Sequence, residues 1–431
     1  MIVGVEAHSY RCLRWINQPL DSFRVLVGPN ASGKSTFLDV LRLVRDVVTP
    51  ERGVEGAVAD RTRDPRDLIW LRQAREFQIA VELRPPALPG IPASECPDPR
   101  FRYELAIGCP DGGAPRIEAE ALWFWPSREP RDPQQRLVFP EPLQPPLSVL
   151  LLDSVERSRV GRQKVVAKVR SSGKDYYQWR PPGSGAKAWN QVVSVGRSRA
   201  ALAFLPASGD SEEDHYAAPR WVREYLSTCI RYIQLDVTRM RQPSPPNAKG
   251  ELSPDGSNLA WVVRELKEAD PGVAQAWTEH IRLAFPLVED IVTFVREEDR
   301  HCLLKVVYRS GAEVPTWLLS DGTLRFIALT LIAYYPWPTP GLFMIEEPEN
   351  GIHPAAVGAL FDSLRSMWEH QVLLATHSPA LLRLAKPEQV LAFAATEDGA
   401  TDVIVGEEHP RLREWQGQVG LDTLNASGVL S

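Results

Sequence analysis

Short apolar runs alternate with helix-compatible segments near both ends of the chain. The runs at residues 23–27, 341–345 and 372–375 are almost wholly apolar, which is typical of strands buried on both sides of a sheet. Residues 34–48 carry apolar side chains along one face at helical spacing, and residues 324–335 form a more apolar helix candidate. Apolar strands interleaved with helices predict an α/β fold with a mostly parallel sheet.

Weaker patterns add further elements to this prediction. Residues 77–83, 232–237 and 302–308 are strand candidates, and residues 259–268 are a helix candidate.

The middle of the chain alternates apolar and polar residues, which predicts β-hairpins. Residues 101–107 and 116–125 flank an Asp-Gly-Gly turn, and residues 164–170 and 176–180 flank a Ser-Ser-Gly turn. The chain has 38 prolines, six of them between Pro85 and Pro99 and seven between Pro126 and Pro146. Proline removes a backbone donor and clashes with the preceding helical turn, so long helices are excluded there.

Composition narrows the class of protein. The 431 residues carry a net charge of −6 and are 44% hydrophobic, which is ordinary for a globular protein and excludes a disordered chain. No apolar run reaches the roughly 18 residues of a membrane span, and no signal-peptide pattern precedes the first strands. The five cysteines are scattered and form no CxxC pair, so we expect a reduced, cytoplasmic protein with no membrane partner.

The strongest chemical signal is a glycine-rich loop between a predicted strand and a predicted helix. Gly28-Pro-Asn-Ala-Ser-Gly33-Lys34-Ser35 matches GxxxxGK[ST], the phosphate-binding loop. Its backbone N–H groups and the helix N-terminus favour phosphate, Lys34 would reach the β and γ phosphates, and Ser35 would coordinate Mg²⁺. A chance glycine-rich turn is the alternative, and the flanking strand and helix argue against it.

Paired carboxylates follow a second apolar strand. Glu346 and Glu347 end the run at 341–345, as in a Walker B motif. The first carboxylate would sit by Mg²⁺, and the second would position and polarise the attacking water. Two surface glutamates at a strand end are the plain alternative.

Two further motifs stand in order around these carboxylates. Ser320-Asp321-Gly322 precedes an apolar helix and predicts an N-cap that could also bind an anion, although many caps have no such role. Thr376-His377-Ser378-Pro379 follows another strand. A lone histidine is more often structural, but the position of His377 after the carboxylates favours a catalytic role.

In their order, these four motifs resemble the ABC ATPase superfamily, in particular RecF/SMC-like heads and the ATPase halves of OLD-type nucleases (the AAA_21-type group). Two positions depart from the commonest pattern, because Asp321 replaces a glycine that is usual in transporters and Glu346 replaces aspartate. The resemblance divides the chain into an N-terminal part of an ATPase head (1–84), a strand-rich, proline-rich insertion (85–219), a C-terminal part of the head (220–395) and a C-terminal tail (396–431).

The resemblance also implies cofactors, partners and roles. ATP and Mg²⁺ would bind between two subunits of a homodimer or higher oligomer. Glu347, His377 and Lys34 would be catalytic, Glu346 and Ser35 would hold the metal, and Glu349, Asn350 and His353 would lie in a loop at the dimer interface. The residues expected to contact the nucleotide are Gly28, Asn30, Ser32, Gly33, Lys34, Ser35, Thr36, Ser320 and Gly322.

Spacing discriminates within the superfamily. Lys34 and Glu346 are 312 positions apart, which favours a RecF/SMC-like head with a large insertion over a compact transporter motor. The 54 residues after His377 are too few for the fused nuclease domain of OLD proteins, so we expect a separately encoded effector, a nuclease or a toxin.

A basic segment is a candidate nucleic-acid surface. Nine Lys or Arg residues lie between Arg157 and Lys187, with Tyr176, Tyr177 and Trp179 interleaved. Cations suit phosphates and aromatic rings stack on bases, so DNA contact is one interpretation. A solvated hairpin with a half-buried aromatic face is the other.

Two smaller basic groups remain ambiguous. Arg61, Arg63 and Arg66 alternate with aspartates, which favours simple solvation. Arg239 and Arg241 follow the strand candidate at 232–237 and could face the nucleotide or a partner.

Two functions fit these observations. The first is an ATP-dependent dimeric switch in DNA surveillance, in anti-phage defence or repair. The second is a slow ATPase that restrains a toxic partner protein without touching DNA.

Overall fold

The computed structural model describes residues 1–86, 96–126, 136–153, 162–170, 174–179, 189–205, 216–412 and 420–426. These residues form strands β1 (Ile2–Tyr10), β2 (Leu13–Pro19), β3 (Phe23–Val27), β4 (Glu76–Leu83), β5 (Arg100–Gly108), β6 (Arg116–Trp125), β7 (Gln163–Lys168), β8 (Asp175–Trp179), β9 (Trp189–Val193), β10 (Ile230–Ile233), β11 (Val288–Val295), β12 (Cys302–Tyr308), β13 (Glu313–Pro315), β14 (Leu342–Glu346), β15 (Gln371–Ala375), β16 (Val390–Ala395) and β17 (Thr401–Val405). The helices are α1 (Lys34–Val48), α2 (Gly53–Ala59), α3 (Ala217–Thr228), α4 (Val237–Met240), α5 (Leu259–Ala269), α6 (Pro271–Ala284), α7 (Asp321–Tyr334), α8 (Pro354–Arg365), α9 (Pro379–Leu382) and α10 (Leu421–Ala426).

A six-stranded sheet carries the apolar runs of the sequence. Its order is β10-β14-β15-β3-β16-β17, and the first five strands are parallel while β17 is antiparallel to β16. Along β14, Leu342 and Met344 enter one hydrophobic core while Phe343 and Ile345 enter the other. Burial on both faces explains why the run shows no alternation.

The largest sheet is antiparallel and has eight strands. Its order is β2-β1-β4-β5-β6-β7-β8-β9, and a third sheet, β11-β12-β13, is also antiparallel. The fold is therefore mixed α/β, and the predicted mostly parallel sheet describes only one of the three sheets that the described residues form. Strands from the predicted insertion, 85–219, extend a sheet that begins with β1, β2 and β4.

Helices fill the space between the sheets and cover the far face. α1, α2 and α3 contribute to the core shared by the eight-stranded sheet and one face of the six-stranded sheet. α5, α6, α7 and α8 pack on the opposite face. The phosphate-loop helix α1 is therefore enclosed between two sheets, and eleven of its fifteen residues are buried.

Most local predictions are confirmed, including the elements at 23–27, 34–48, 116–125 and 302–308. The strand predicted at 232–237 is wrong in its last four residues. β10 ends at Ile233, and Asp236 caps α4 by accepting hydrogen bonds from the backbone N–H groups of Thr238 and Arg239. Within the described residues, no helix combines the length and the apolar character needed to cross a bilayer.

The interpretation of Arg61 as a solvated residue is also wrong. Its side chain is 5% exposed and contacts Asp39 at 2.9 Å and Asp46 at 3.0 Å, both on α1. Asp39 also accepts a 2.6 Å hydrogen bond from the Tyr10 hydroxyl. The network ties α1 to the residues after α2 and to β1, so this arginine is structural.

Candidate nucleotide site

The phosphate loop joins β3 to α1, as the motif predicts. Gly33 caps α1 at φ 101°, and Gly28 lies at φ 150°, conformations that side chains rarely adopt. A Cβ atom at Gly33 would also lie 2.2 Å from the Thr401 hydroxyl oxygen. Both the backbone angle and the packing therefore require glycine at this position.

Lys34 lies inside the loop. Its ammonium donates hydrogen bonds to the carbonyl oxygens of Gly28 (2.9 Å) and Pro29 (2.8 Å). Burial lowers the pKa of Lys34 to about 8, against the opposing effect of the Glu346 and Glu347 carboxylates. The ammonium is thus held by neutral carbonyls at the position where a phosphate would supply negative charge.

Ser35 and Glu346 meet across the site. The Ser35 hydroxyl donates a hydrogen bond to Glu346 Oε2, and the Tyr232 hydroxyl donates one to Glu346 Oε1 at 2.7 Å. Both carboxylate oxygens therefore have a fixed donor, one from α1 and one from β10.

Glu347 and His377 come from neighbouring parallel strands. Glu347 has φ 47°, and its backbone N–H donates to the carbonyl of Ala375 at 2.7 Å, which ties the end of β14 to the end of β15. Burial and the positive charge of Lys34 lower the pKa of His377, while Glu347 opposes them. His377 is therefore disposed to be neutral at pH 7.

These side chains surround one cleft of about 440 Å³. Nine predicted residues line it, namely Asn30, Ser32, Gly33, Lys34, Ser35, Thr36, Glu346, Glu347 and His377. Gly28 contributes its carbonyl to Lys34, whereas Ser320 and Gly322 are not among the lining residues.

Ser320 and Gly322 begin α7 elsewhere on the chain. The Ser320 side chain accepts a hydrogen bond from the Thr323 N–H at 3.2 Å, which confirms the predicted N-cap. A Cβ atom at Gly322 would lie 2.0 Å from the Gly351 carbonyl oxygen, so the start of α7 packs directly on the loop after Glu347. Asp321, at the position of the usual glycine, pairs with Arg241 at 2.6 Å.

The loop after Glu347 is bonded to the histidine segment. Thr376 donates a hydrogen bond to Glu349 Oε1 and accepts one from the Ser378 N–H at 2.9 Å. Burial raises the pKa of Glu349, although the Thr376 hydrogen bond acts in the other direction. His353 caps α8 by accepting from the Ala355 N–H, so its observed contact is local.

Besides Tyr232, three site residues escaped the sequence prediction. Arg11 and Cys12, in the turn between β1 and β2, line the cleft. Gln234, directly after β10, lines an adjoining cleft of about 330 Å³ together with Glu346 and Glu347. Gln234 could have been noticed as a polar residue that immediately follows a strand. Its position beside Glu346, however, depends on the parallel pairing of β10 with β14, which the sequence does not show.

The donor set suits Mg²⁺ bound to a phosphate. Ser35 and Glu346 offer hard oxygen atoms, which Mg²⁺ prefers together with water and phosphate oxygens. In the described part of the chain, no group of three or more His, Cys, Asp or Glu could hold a metal alone. The Ser32 hydroxyl oxygen is buried in the loop and has no hydrogen-bond partner among the described residues, as expected for a group that meets a phosphate.

The basic segment is less exposed than its sequence indicated. Lys168 is 1% exposed and pairs with Asp175, and Arg170 contacts Glu76 at 2.6 Å. Four of its nine basic residues, Arg157, Arg159, Arg180 and Lys187, lie outside the described residues.

Two of its aromatic residues are in the core. Tyr177 and Trp179 are 1% and 4% exposed, whereas Tyr176 is 36% exposed. Strand alternation places Tyr177 and Trp179 on the core face, so they are not available to stack on bases. These strands therefore have the half-buried aromatic face of the alternative interpretation.

The two arginines after β10 are paired. Arg239 contacts Asp255 at 2.8 Å, and Arg241 contacts Asp321 as described above. Neither is among the residues that line the two clefts.

Comparison with known proteins agrees with this fold. An OLD nuclease from Thermus scotoductus (strain ATCC 700910 / SA-01) is 32% identical over 90 residues, which cover 21% of this chain and only 16% of that nuclease. A crystal structure of an SMC head bound to the C-terminal winged-helix domain of ScpA matches with a TM-score of 0.51 at 14% identity, over 94% of this chain and 96% of that one. At that identity the likeness shows the fold alone.

A second SMC head, from Pyrococcus furiosus, bound to the C-terminal domain of ScpA, matches at 13% identity over 94% of this chain and 95% of that one. The TM-score of this match is 0.48. A family model matches much more of the sequence than the nuclease does. Because that model matches residues 23–383, the chain belongs to the AAA_21 family of P-loop ATPases, described as "AAA domain, putative AbiEii toxin, Type IV TA system".

Proposed function

We propose that this chain is a Mg²⁺-dependent ATPase whose ATP site is completed by a second copy of itself. The observation that carries the proposal is the convergence of Lys34, Ser35, Glu346, Glu347 and His377 on one cleft. These residues come from α1, β14 and the end of β15, so only the folded chain assembles them.

Each side chain has a distinct task in this proposal. Lys34 would exchange its two carbonyl partners for phosphate oxygens, and Ser35 and Glu346 would hold Mg²⁺, whose charge would neutralise the phosphates. Glu347 accepts a proton from the attacking water, and His377 donates a hydrogen bond to the γ-phosphate from its neutral ring. Glu347 suits this role because it is exposed and anchored through its own backbone to β15.

The proposed dimer rests on the position of Ser320. Its side chain is exposed at the N-terminus of α7, where free N–H groups favour an anion, and it does not line the cleft of its own chain. Trp317 and Leu318, immediately before it, are 48% and 70% exposed. A polar helix end flanked by exposed apolar side chains suits a contact with a second copy.

Steady-state hydrolysis tests the proposal. We expect Glu347→Gln to reduce the rate by roughly 10²–10⁴-fold while leaving nucleotide binding unchanged. Glu369→Gln, an exposed glutamate outside the cleft, is the matched control. Hydrolysis should rise faster than linearly with protein concentration, and Ser320→Ala should weaken that dependence. Unchanged hydrolysis in Glu347→Gln would refute the catalytic assignment.

Two cellular functions are candidates for this ATPase, DNA surveillance and restraint of a partner protein. Two observations support DNA surveillance with a separately encoded effector. One is the similarity to a nuclease. The other is a pair of cations over the Trp123 ring, Arg162 at 5.4 Å and Lys164 at 5.9 Å from its centroid. The family description, which names a type IV toxin–antitoxin system, supports restraint of a partner protein instead. Salt-dependent DNA binding that is lost in Lys164→Glu supports the first, and hydrolysis that ignores DNA supports the second.

A further inference from the structure

Glu346 is held by a side chain that no motif contains. The Tyr232 hydroxyl lies 2.7 Å from Glu346 Oε1, while Ser35 occupies Oε2. Burial and the hydrogen bond to Glu346 raise the pKa of Tyr232 well above its usual range. In this bond the phenol O–H donates and the carboxylate oxygen accepts.

Strand register explains why these two residues meet. β10 and β14 are parallel, with Tyr232 opposite Met344 and Ile233 opposite Ile345. Side chains two positions apart share a face, so Tyr232, Met344 and Glu346 all project toward α1. Tyr232 packs against the same core as Met344, which agrees with this placement.

The tyrosine ring is fixed in turn by α1. The Arg42 guanidinium lies 4.2 Å from the ring centroid, and Arg42 also contacts Asp39 at 3.9 Å. Arg42 and Ser35 are seven residues apart on one helix, which is about two turns. Three contacts therefore form a closed ring through α1, β14 and β10. They join Ser35 to Glu346, Glu346 to Tyr232, and Tyr232 to Arg42.

We propose that Tyr232 is a positioning residue for the metal-binding carboxylate of Glu346. Glutamate has one more rotatable bond than aspartate, so its carboxylate needs an additional restraint to reach a defined position. The Tyr232 hydrogen bond supplies it by fixing Oε1 and leaving Oε2 beside Ser35. Partners of this kind orient metal ligands, and their loss typically weakens metal binding by about 10–100-fold.

This inference rests on the proposed Mg²⁺–ATP site, and its test measures metal binding directly. Mn²⁺ would be titrated into the full chain with a non-hydrolysable ATP analogue, and free Mn²⁺ would be followed by electron paramagnetic resonance. Tyr232→Phe removes only the hydroxyl and keeps the ring under Arg42. We expect its Mn²⁺ affinity to fall about 10–100-fold, with analogue affinity in EDTA unchanged within about twofold.

Tyr225→Phe is the matched control. Tyr225 is 5% exposed, and its hydroxyl has no hydrogen bond to any residue that the structure describes. Its Mn²⁺ affinity should equal that of the unmodified chain. Wild-type affinity in Tyr232→Phe, or an equal loss in both variants, would overturn the positioning role.

Glu346→Ala separates this inference from the function on which it rests. If Glu346→Ala binds Mn²⁺ as tightly as the unmodified chain, the proposed metal site and the positioning role both fail. If Glu346→Ala loses Mn²⁺ and Tyr232→Phe does not, only the role of Tyr232 fails.

Discussion

The protonation state of Lys34 should make nucleotide affinity depend on pH in an unusual range. Burial lowers the pKa of Lys34 to about 8 from the ordinary lysine value, because the charged form loses water inside the loop. Phosphate binds the ammonium form. Raising the pH through 8 therefore removes the proton on which the proposed binding depends, and affinity should decline in that direction.

The magnitude follows from the fraction of protonated Lys34. With a pKa of 8, about nine-tenths of the free chain carries the ammonium at pH 7, and about one-tenth does at pH 9. If only that form binds well, the apparent dissociation constant rises about tenfold between these values, which corresponds to about 1.4 kcal/mol. A lysine at its ordinary pKa of about 10.4 would give almost no change over the same interval.

Fluorescence titration with a non-hydrolysable ATP analogue, from pH 6.5 to 9.5 at constant ionic strength, measures this dependence. Lys34→Met is the reference, because its weaker binding should be independent of pH. The ratio of the unmodified chain's affinity to that of Lys34→Met should therefore fall tenfold between pH 7 and pH 9. Thermal unfolding at each pH controls for loss of the fold. An affinity that stays constant from pH 7 to pH 9 would refute the reasoning and place the pKa of Lys34 near its ordinary value.

Three further substitutions test the structural reasoning. Arg61→Met removes one partner from each of two buried carboxylates on α1. We expect the free energy of unfolding, measured with denaturant, to fall by about 3 kcal/mol. Other arginines still contact both carboxylates, which limits the loss. Gly33→Ala should reduce nucleotide affinity at least roughly tenfold, because of its φ of 101° and the Thr401 contact, as measured by the same titration. Gly322→Ala should impair hydrolysis more than binding, because the new Cβ atom would displace the loop at Gly351. Gly358→Ala, on α8 with open space around it, should leave nucleotide affinity and hydrolysis unchanged and raise stability by about 0.5–1 kcal/mol, because alanine suits a helix interior better than glycine.

Local sequence patterns predicted the parts of the site that depend on consecutive residues. The phosphate loop needs a strand, glycines and a helix in direct succession, so its context could be inferred from residues 23–48. The Glu346 and His377 segments each follow a short apolar strand, and parallel pairing of those strands brings them together. Three of the four motifs therefore lie at the cleft, and the Ser320 motif does not line it.

Contacts between distant segments could not be inferred in the same way. Arg61 has aspartates beside it in sequence, and nothing local indicates that its true partners lie on α1. Lys168 and Tyr177 also look like surface residues until the strand pairing fixes which face of the sheet is buried. Sequence gives the charge of a side chain, but burial depends on packing between segments far apart in the chain.

The packing around the phosphate loop limits how bound nucleotide could change the chain. Thr401 donates one hydrogen bond to the Ser32 carbonyl at 3.0 Å and another, from its backbone, to the Cys12 carbonyl at 2.9 Å. The turn at Cys12 belongs to the hairpin of β1 and β2, and Cys12 itself contacts Thr36. The loop is thus bonded on both sides to edges of the two large sheets. An internal hinge at the loop would have to break these contacts, so we expect nucleotide to act mainly through the exposed start of α7, where the proposed dimer would form.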